Sequence, residues 1–178
     1  MITVSKVRLR SKTIDDARDD YRWQVDPELA RLDANTVRDI SFSRFLEEYS
    51  FDLNYPMGDR HEFAIENLGG IHIGNCVYYN VDMSRSEAEL GIMIGEREYW
   101  GKGYGVAAIS ALLEHIFTRT SISKTYLKTL DWNTRARRCF EKCGLTEVGR
   151  MTKNGYSFIC MKINRSQWQA EQIAKSQQ

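Results

Sequence analysis

The segment that most constrains this chain is Trp100-Gly101-Lys102-Gly103-Tyr104-Gly105, which runs directly into Val106, Ala107, Ile109, Leu112, Leu113, Ile116 and Phe117. These apolar residues recur at helical period over about 15 residues, so a helix with one face made for burial begins at the glycine-rich turn. The first turn of a helix leaves main-chain N–H groups without partners at the positive end of the helix dipole, and glycine allows a ligand to approach them closely. Such a turn can hold phosphate oxygens, or it can be a tight turn and nothing more. Two nucleotide-binding patterns do not fit it. A P-loop needs Ser or Thr after Gly-Lys, and Lys102 is followed by Gly103. A dinucleotide fingerprint needs a third glycine further on and an acid about 20 residues later, where this chain carries Lys124 and Lys128, so a dinucleotide oxidoreductase is disfavoured.

Around this segment the pattern is mixed. The alternation Val4, Val7, Leu9 predicts a first strand ending near Thr13, and residues 15–52 read as two helices broken around Asp26-Pro27 and Asp33-Ala34-Asn35. Residues 62–66, 70–79 and 87–94 are rich in β-formers and predict an antiparallel meander, its first turn at Asn67-Leu68-Gly69-Gly70. Beyond the glycine-rich helix, 124–130 predicts a strand, 133–143 a short helix stopped by Gly144, and 145–151 with 156–163 a hairpin around Lys153-Asn154-Gly155. The order predicts one α+β domain over residues 1–164, with a mostly antiparallel sheet and at least one crossover, followed by a polar C-terminal tail, 165–178, read as a frayed helix.

Composition narrows the partners. With 25 basic and 24 acidic residues there is no global field for nucleic acid or an anionic membrane. The apolar runs are short of the ~20 residues a bilayer span needs, and the start, Met1-Ile2-Thr3-Val4-Ser5-Lys6, lacks the apolar region of a secretory signal. A cytoplasmic protein with reduced thiols is expected, and Cys139 and Cys143, four apart without neighbouring histidines, make no metal site. Local clusters must then carry any anion recognition. Asn133 stands at a natural N-cap position, and the helix behind it carries Arg135, Arg137, Arg138 and Lys142 against a single acid, Glu141. That is a solvated basic face, or a set of phosphate ligands beside the loop.

Four segments in order, Ala88-Glu89-Leu90-Gly91-Ile92-Met93-Ile94-Gly95, Tyr99-Trp100-Gly101-Lys102-Gly103-Tyr104-Gly105, Asp131-Trp132-Asn133-Thr134-Arg135-Ala136 and Phe140-Glu141-Lys142-Cys143-Gly144-Leu145, resemble successive motifs of GNAT acetyltransferases. Trp23-Gln24-Val25-Asp26-Pro27-Glu28 further resembles the first helical region of the Rim-type branch, which includes ribosomal-protein, polyamine and amino-sugar acetyltransferases. The resemblance implies a GNAT fold, with a splayed, mostly antiparallel mixed sheet of about seven strands flanked by about four helices. It implies an N-acetyltransferase that moves acetyl from acetyl-coenzyme A to a primary amine (a protein N-terminus, polyamine or amino sugar) by direct attack in a ternary complex. A homodimer is a family-level expectation. The alternative is a catalytically weak or inactive coenzyme A-binding sensor of the same fold.

The resemblance also implies the site. Ile92, Met93 and Ile94 would pair their main chain with the pantetheine arm. Trp100, Gly101, Lys102, Gly103, Tyr104, Gly105 and Val106 would surround the pyrophosphate, although Trp100 stands where the family loop has Arg or Gln. Asn133, Arg138, Phe140 and Lys142 would complete the coenzyme set. An ammonium must lose a proton before it attacks a thioester, and Glu89, with Glu87 second, is the candidate base or else a strand-surface glutamate. A main-chain N–H of the 92–94 strand would hold the oxyanion. Seven residues after the family asparagine many members place a tyrosine as general acid; here it is Phe140, which leaves Tyr104, Tyr126 or water. Trp23, Phe42, Phe45, Tyr49 and Phe51 are either core or acceptor-site wall, His72 is a packed or surface histidine, and Asp26, Glu28, Glu47, Glu48 and Asp52 either attract a cationic amine or are solvated.

Overall fold

The computed structural model describes residues 2–4 and 6–177. Met1 and Ser5, part of the leader reading, and the side chain of Val4, part of the first-strand reading, lie outside the described residues. In place of one first strand there are two, β1 (Ile2–Val4) and β2 (Val7–Ser11), which pair antiparallel with Val4 opposite Val7. The helical region divides into three helices, α1 (Ala17–Gln24), α2 (Pro27–Leu32) and α3 (Phe42–Asn54), because Asp26-Pro27 ends one helix and starts another. Proline holds the preceding residue extended and needs no N–H partner in a first turn, while the Asp26 carboxylate accepts from Glu28 N at 2.9 Å and Leu29 N at 3.0 Å.

The meander follows as β3 (His61–Asn67), β4 (His72–Asp82) and β5 (Glu87–Ile94), then α4 (Tyr104–Arg119), β6 (Lys124–Leu130), α5 (Thr134–Lys142), β7 (Thr146–Lys153) and β8 (Tyr156–Asn164). Asn154 and Gly155 both take positive φ, 51° and 79°, as a two-residue hairpin turn between β7 and β8 requires. The eight strands form one sheet in the order β1-β2-β3-β4-β5-β6-β8-β7, with β5–β6 its one parallel pair among the described residues. The architecture is α+β, one strand and two α-helices richer than expected.

On one face of the sheet α4 buries Ala108, Ile109, Leu112, Leu113 and Ile116, each at most 1% exposed, against Leu9, Ile65, Ile73, Leu90 and Leu127. On the other face α1 sets Trp23 beside a buried polar group in which Asp20 accepts from Asn75 Nδ2 at 2.6 Å and ion-pairs with Lys12. The polar tail is helical over most of its length. Residues Arg165–Ser176 form α6, started by a capping box between Asn164 and Gln167 and docked by Trp168, whose ring lies 5.7 Å from that of Phe117 on α4. Among the described residues no helix is long and apolar enough to cross a membrane.

Candidate active site

β5 and β6 pair only at Glu87, Ala88 and Glu89 with Lys124, Thr125 and Tyr126, although β5 continues to Ile94 and β6 to Leu130. Beyond the last pair the strands diverge around a cavity of about 510 Å³, with residues 89–94 on one wall and 127–130 on the other. Peptide groups along a strand alternate in the neighbour they face. Lys124 N donates to Ser86 O at 3.0 Å, and at the far end Gly95 N donates to Ile73 O on β4 at 2.9 Å. The even-numbered residues of β5 therefore face the side that β6 has left, and the odd-numbered ones face β4. Ile92 and Ile94 present main chain to the cavity; Met93 lines it too, but its peptide groups serve β4. Ile94 O is further occupied by the Trp100 indole Nε1 at 2.6 Å, which leaves the Ile92 N–H and C=O and the Ile94 N–H facing the gap.

At the mouth of this gap the chain turns through Gly101 (φ 70°) and Gly103 (φ 85°) into α4. Gly103 is the N-cap and has no side chain to cap with, so the N–H groups of Tyr104, Gly105 and Val106 have neither an intrahelical acceptor nor a side-chain one. Gly101, Gly103, Gly105 and Val106 line the cavity. The side chains of Lys102 and Tyr104 do not. The Lys102 carbonyl accepts from Lys6 Nζ at 3.0 Å, and the Tyr104 ring packs edge-on to Tyr99 at 4.8 Å, with Lys6 Nζ 5.6 Å from its centroid. The structure does not favour the expectation that Tyr104 protonates a leaving group: Tyr104 packs on Tyr99, which lines the cavity, and does not line it itself.

Helix α5 forms the third wall. Its N-cap Asn133 accepts from Ala136 N at 3.2 Å, and Phe140, 6% exposed, lines the cavity. Arg135, Arg138 and Lys142, at i, i+3 and i+7, share the helix face that looks onto the space. Among the described residues none of the three has a carboxylate within 4.0 Å, whereas Arg137, on another face, pairs with Glu147 at 3.7 Å. Three unpaired cations beside uncapped helix N–H groups make an anion site.

At the apex of the fork Glu89 is 4% exposed, 3.0 Å from Lys128 Nζ and accepting from Asn80 Nδ2 at 3.0 Å. The phenols of Tyr79 and Tyr126 lie near it; burial first, and then the negative charge of Glu89, raises the pKa of both. Lys128 and Asn80 thus tie the Glu89 carboxylate to the two strands that flank β5. Glu87, the second choice, pairs with Arg85 at 2.8 Å. Tyr79, Asn80 and Lys128 were not anticipated, since strand register alone brings them to Glu89. The wall from α2 was not anticipated either: Leu29, Leu32 and Asp33 of α2 and its C-cap reach the cavity, together with Phe158. Asp33 accepts from Asn35 Nδ2 at 2.6 Å and, among the described residues, has no cation within 4.0 Å. Trp23 and Phe45 are core, Phe51 is 62% exposed, and His72 lies off the cavity with its Nε2 3.0 Å from Asn75.

A family model described as an acetyltransferase (GNAT) domain matches residues 6–146. Among curated proteins the chain is 25% identical over 146 residues to an uncharacterized N-acetyltransferase, p20, of Bacillus licheniformis, covering 81% of each. It is also 25% identical over 139 residues to the spermidine N(1)-acetyltransferase of Vibrio cholerae, covering 70% of this chain and 80% of the other. Among solved structures, the Vibrio cholerae spermidine N-acetyltransferase in complex with CoA and spermine superposes with a TM-score of 0.82 at 22% identity, over 93% of this chain and 99% of that one. An aminoglycoside acetyltransferase in complex with coenzyme A gives 0.78 at 20% identity over the same shares. The fork, the glycine turn and these likenesses converge: the chain belongs to the GNAT acetyltransferase family and is an acetyl-coenzyme A-dependent acyltransferase.

Proposed function

We propose that this enzyme acetylates a primary amine of a small cationic molecule, a polyamine or an amino sugar, by direct attack within a ternary complex. The observation that carries the proposal is the polarity of one cavity. Uncapped N–H groups and unpaired cations lie at its loop end, and an unpaired carboxylate, Asp33, lies on its α2 side. The coenzyme diphosphate would sit on the N–H groups of residues 101–106 with Arg138 and Lys142 beside it, and the pantetheine arm would run along Ile92 and Ile94 past Asn133 and Phe140. The Ile92 N–H faces the gap and would hold the oxyanion without reorganisation. Asp33 would anchor a positive charge of the acceptor. The ammonium proton would leave to water, since Glu89 is engaged, and a thiolate of pKa about 8.5 departs without a tyrosine at position 140. A cytoplasmic setting, in which the four cysteines stay reduced, is part of the proposal.

Thiol release from acetyl-coenzyme A in the presence of spermine, an aminoglycoside and a neutral peptide tests the acceptor class. Turnover with the cationic amines is expected, and Asp33→Asn should raise their KM about tenfold with kcat little changed, as a lost charge-assisted contact would. Coenzyme binding with no turnover on any amine would instead favour the binding-only reading, which Phe140 and the engaged Glu89 motivate.

Glu89 is proposed as a positioning residue that fixes the apex of the fork through Lys128. Glu89→Gln should lower stability, by about 1 kcal/mol because Lys128 is 32% exposed, and leave the acid limb of the kcat/KM profile in place. Loss of that limb with a 10²–10⁴-fold fall in kcat would restore Glu89 as the base.

A further inference from the structure

The first side chain of the turn, Trp100, has no charge to offer a phosphate, and its indole N–H is committed to Ile94 O at 2.6 Å. The faces of its ring are nevertheless used. The Arg97 guanidinium lies 5.5 Å from the centroid, but it is bound to Asp26 and Glu28, each at 2.8 Å. The Arg135 guanidinium lies much closer, 3.7 Å from the centroid, and both Arg135 and Trp100 are on the cavity wall. Among the described residues no carboxylate comes within 4.0 Å of Arg135; burial lowers its pKa, and Glu28 is the one acid that opposes this.

A guanidinium resting on an aromatic face spends its π surface and keeps its in-plane N–H donors. Those donors are the part that forms paired bonds to phosphate oxygens. The platform also fixes the position of this otherwise mobile side chain on the wall of the cavity that Gly101, Gly103 and Gly105 line as well.

We infer that Arg135, held flat on Trp100, is a ligand of the coenzyme diphosphate and supplies the charge that the first side chain of the turn lacks. The inference rests on the coenzyme placement proposed above. It separates Arg135 from Arg137, which faces Glu147, and makes Trp100 a positioning residue.

Calorimetric titration of the full chain with coenzyme A and with 3′-dephospho-coenzyme A tests it. Arg135→Gln is expected to weaken both ligands by the same factor, about tenfold, with an unchanged melting temperature. Arg135→Lys should recover only part of the loss, because an ammonium neither lies flat on the indole nor offers two parallel donors. Wild-type affinity in Arg135→Gln, or a loss confined to coenzyme A that would point to the 3′-phosphate, would overturn the inference while leaving the coenzyme placement standing. A wild-type chain that binds neither ligand would overturn that placement and the inference together.

Discussion

Gly103→Val is expected to reduce coenzyme affinity by about a hundredfold or more, from two causes that can be separated. Gly103 sits at φ 85°, where a β-branched residue is strained by about 1–3 kcal/mol. A Cβ there would meet nothing in the protein closer than Lys6 Nζ at 3.8 Å, so what the new side chain obstructs is the space beside the uncapped N–H groups. Gly103→Asn distinguishes the causes, because asparagine tolerates the left-handed region. It should melt close to the wild type and still bind coenzyme A weakly. If Gly103→Asn binds as the wild type does, the glycine serves the turn and not the ligand.

Trp23→Ala should produce the largest loss of stability, about 3–5 kcal/mol, which for a chain of this size lowers Tm by on the order of ten degrees. The ring is 2% exposed, its Nε1 donates to Glu96 at 3.1 Å, and His72 meets it edge-on at 4.8 Å. It also fills the space above Gly95, where a Cβ would come within 2.2 Å of the indole. Trp23 thereby fixes the end of β5, from which the chain enters the glycine turn. Differential scanning fluorimetry would check the stability effect, and weaker coenzyme binding at temperatures where the variant is still folded would show that the end of β5 positions the turn.

The features legible in the sequence were those with local causes. The glycine turn and α4 follow from three glycines and a helical apolar period, and the β7–β8 hairpin follows from Asn154-Gly155. What was misread depended on neighbours distant in the chain. Met93 was grouped with Ile92 and Ile94 because all three lie on one strand, but which peptide groups face the gap is decided by β4 on one side and the departing β6 on the other. Tyr104 lies in the right segment, yet it packs behind Tyr99 and does not line the cavity. Glu89 reads as a base from its own strand, but register brings Tyr79 and Asn80 of β4 and Tyr126 and Lys128 of β6 around it. Asp33 gave no signal, since a helix end more than fifty residues before the fork reaches the cavity only through the tertiary fold. Residues 165–178 read as a helix from the sequence, but not their capping box or the docking of Trp168 on Phe117, which depends on α4.

The account depends on the main chain of the fork and the turn meeting the coenzyme directly. Amide hydrogen exchange with and without acetyl-coenzyme A reads those groups one by one. Slowed exchange at Ile92, Ile94 and Tyr104 through Val106, with Met93 unchanged, is the predicted result. Equal exchange at all of them in the presence of saturating acetyl-coenzyme A would contradict it.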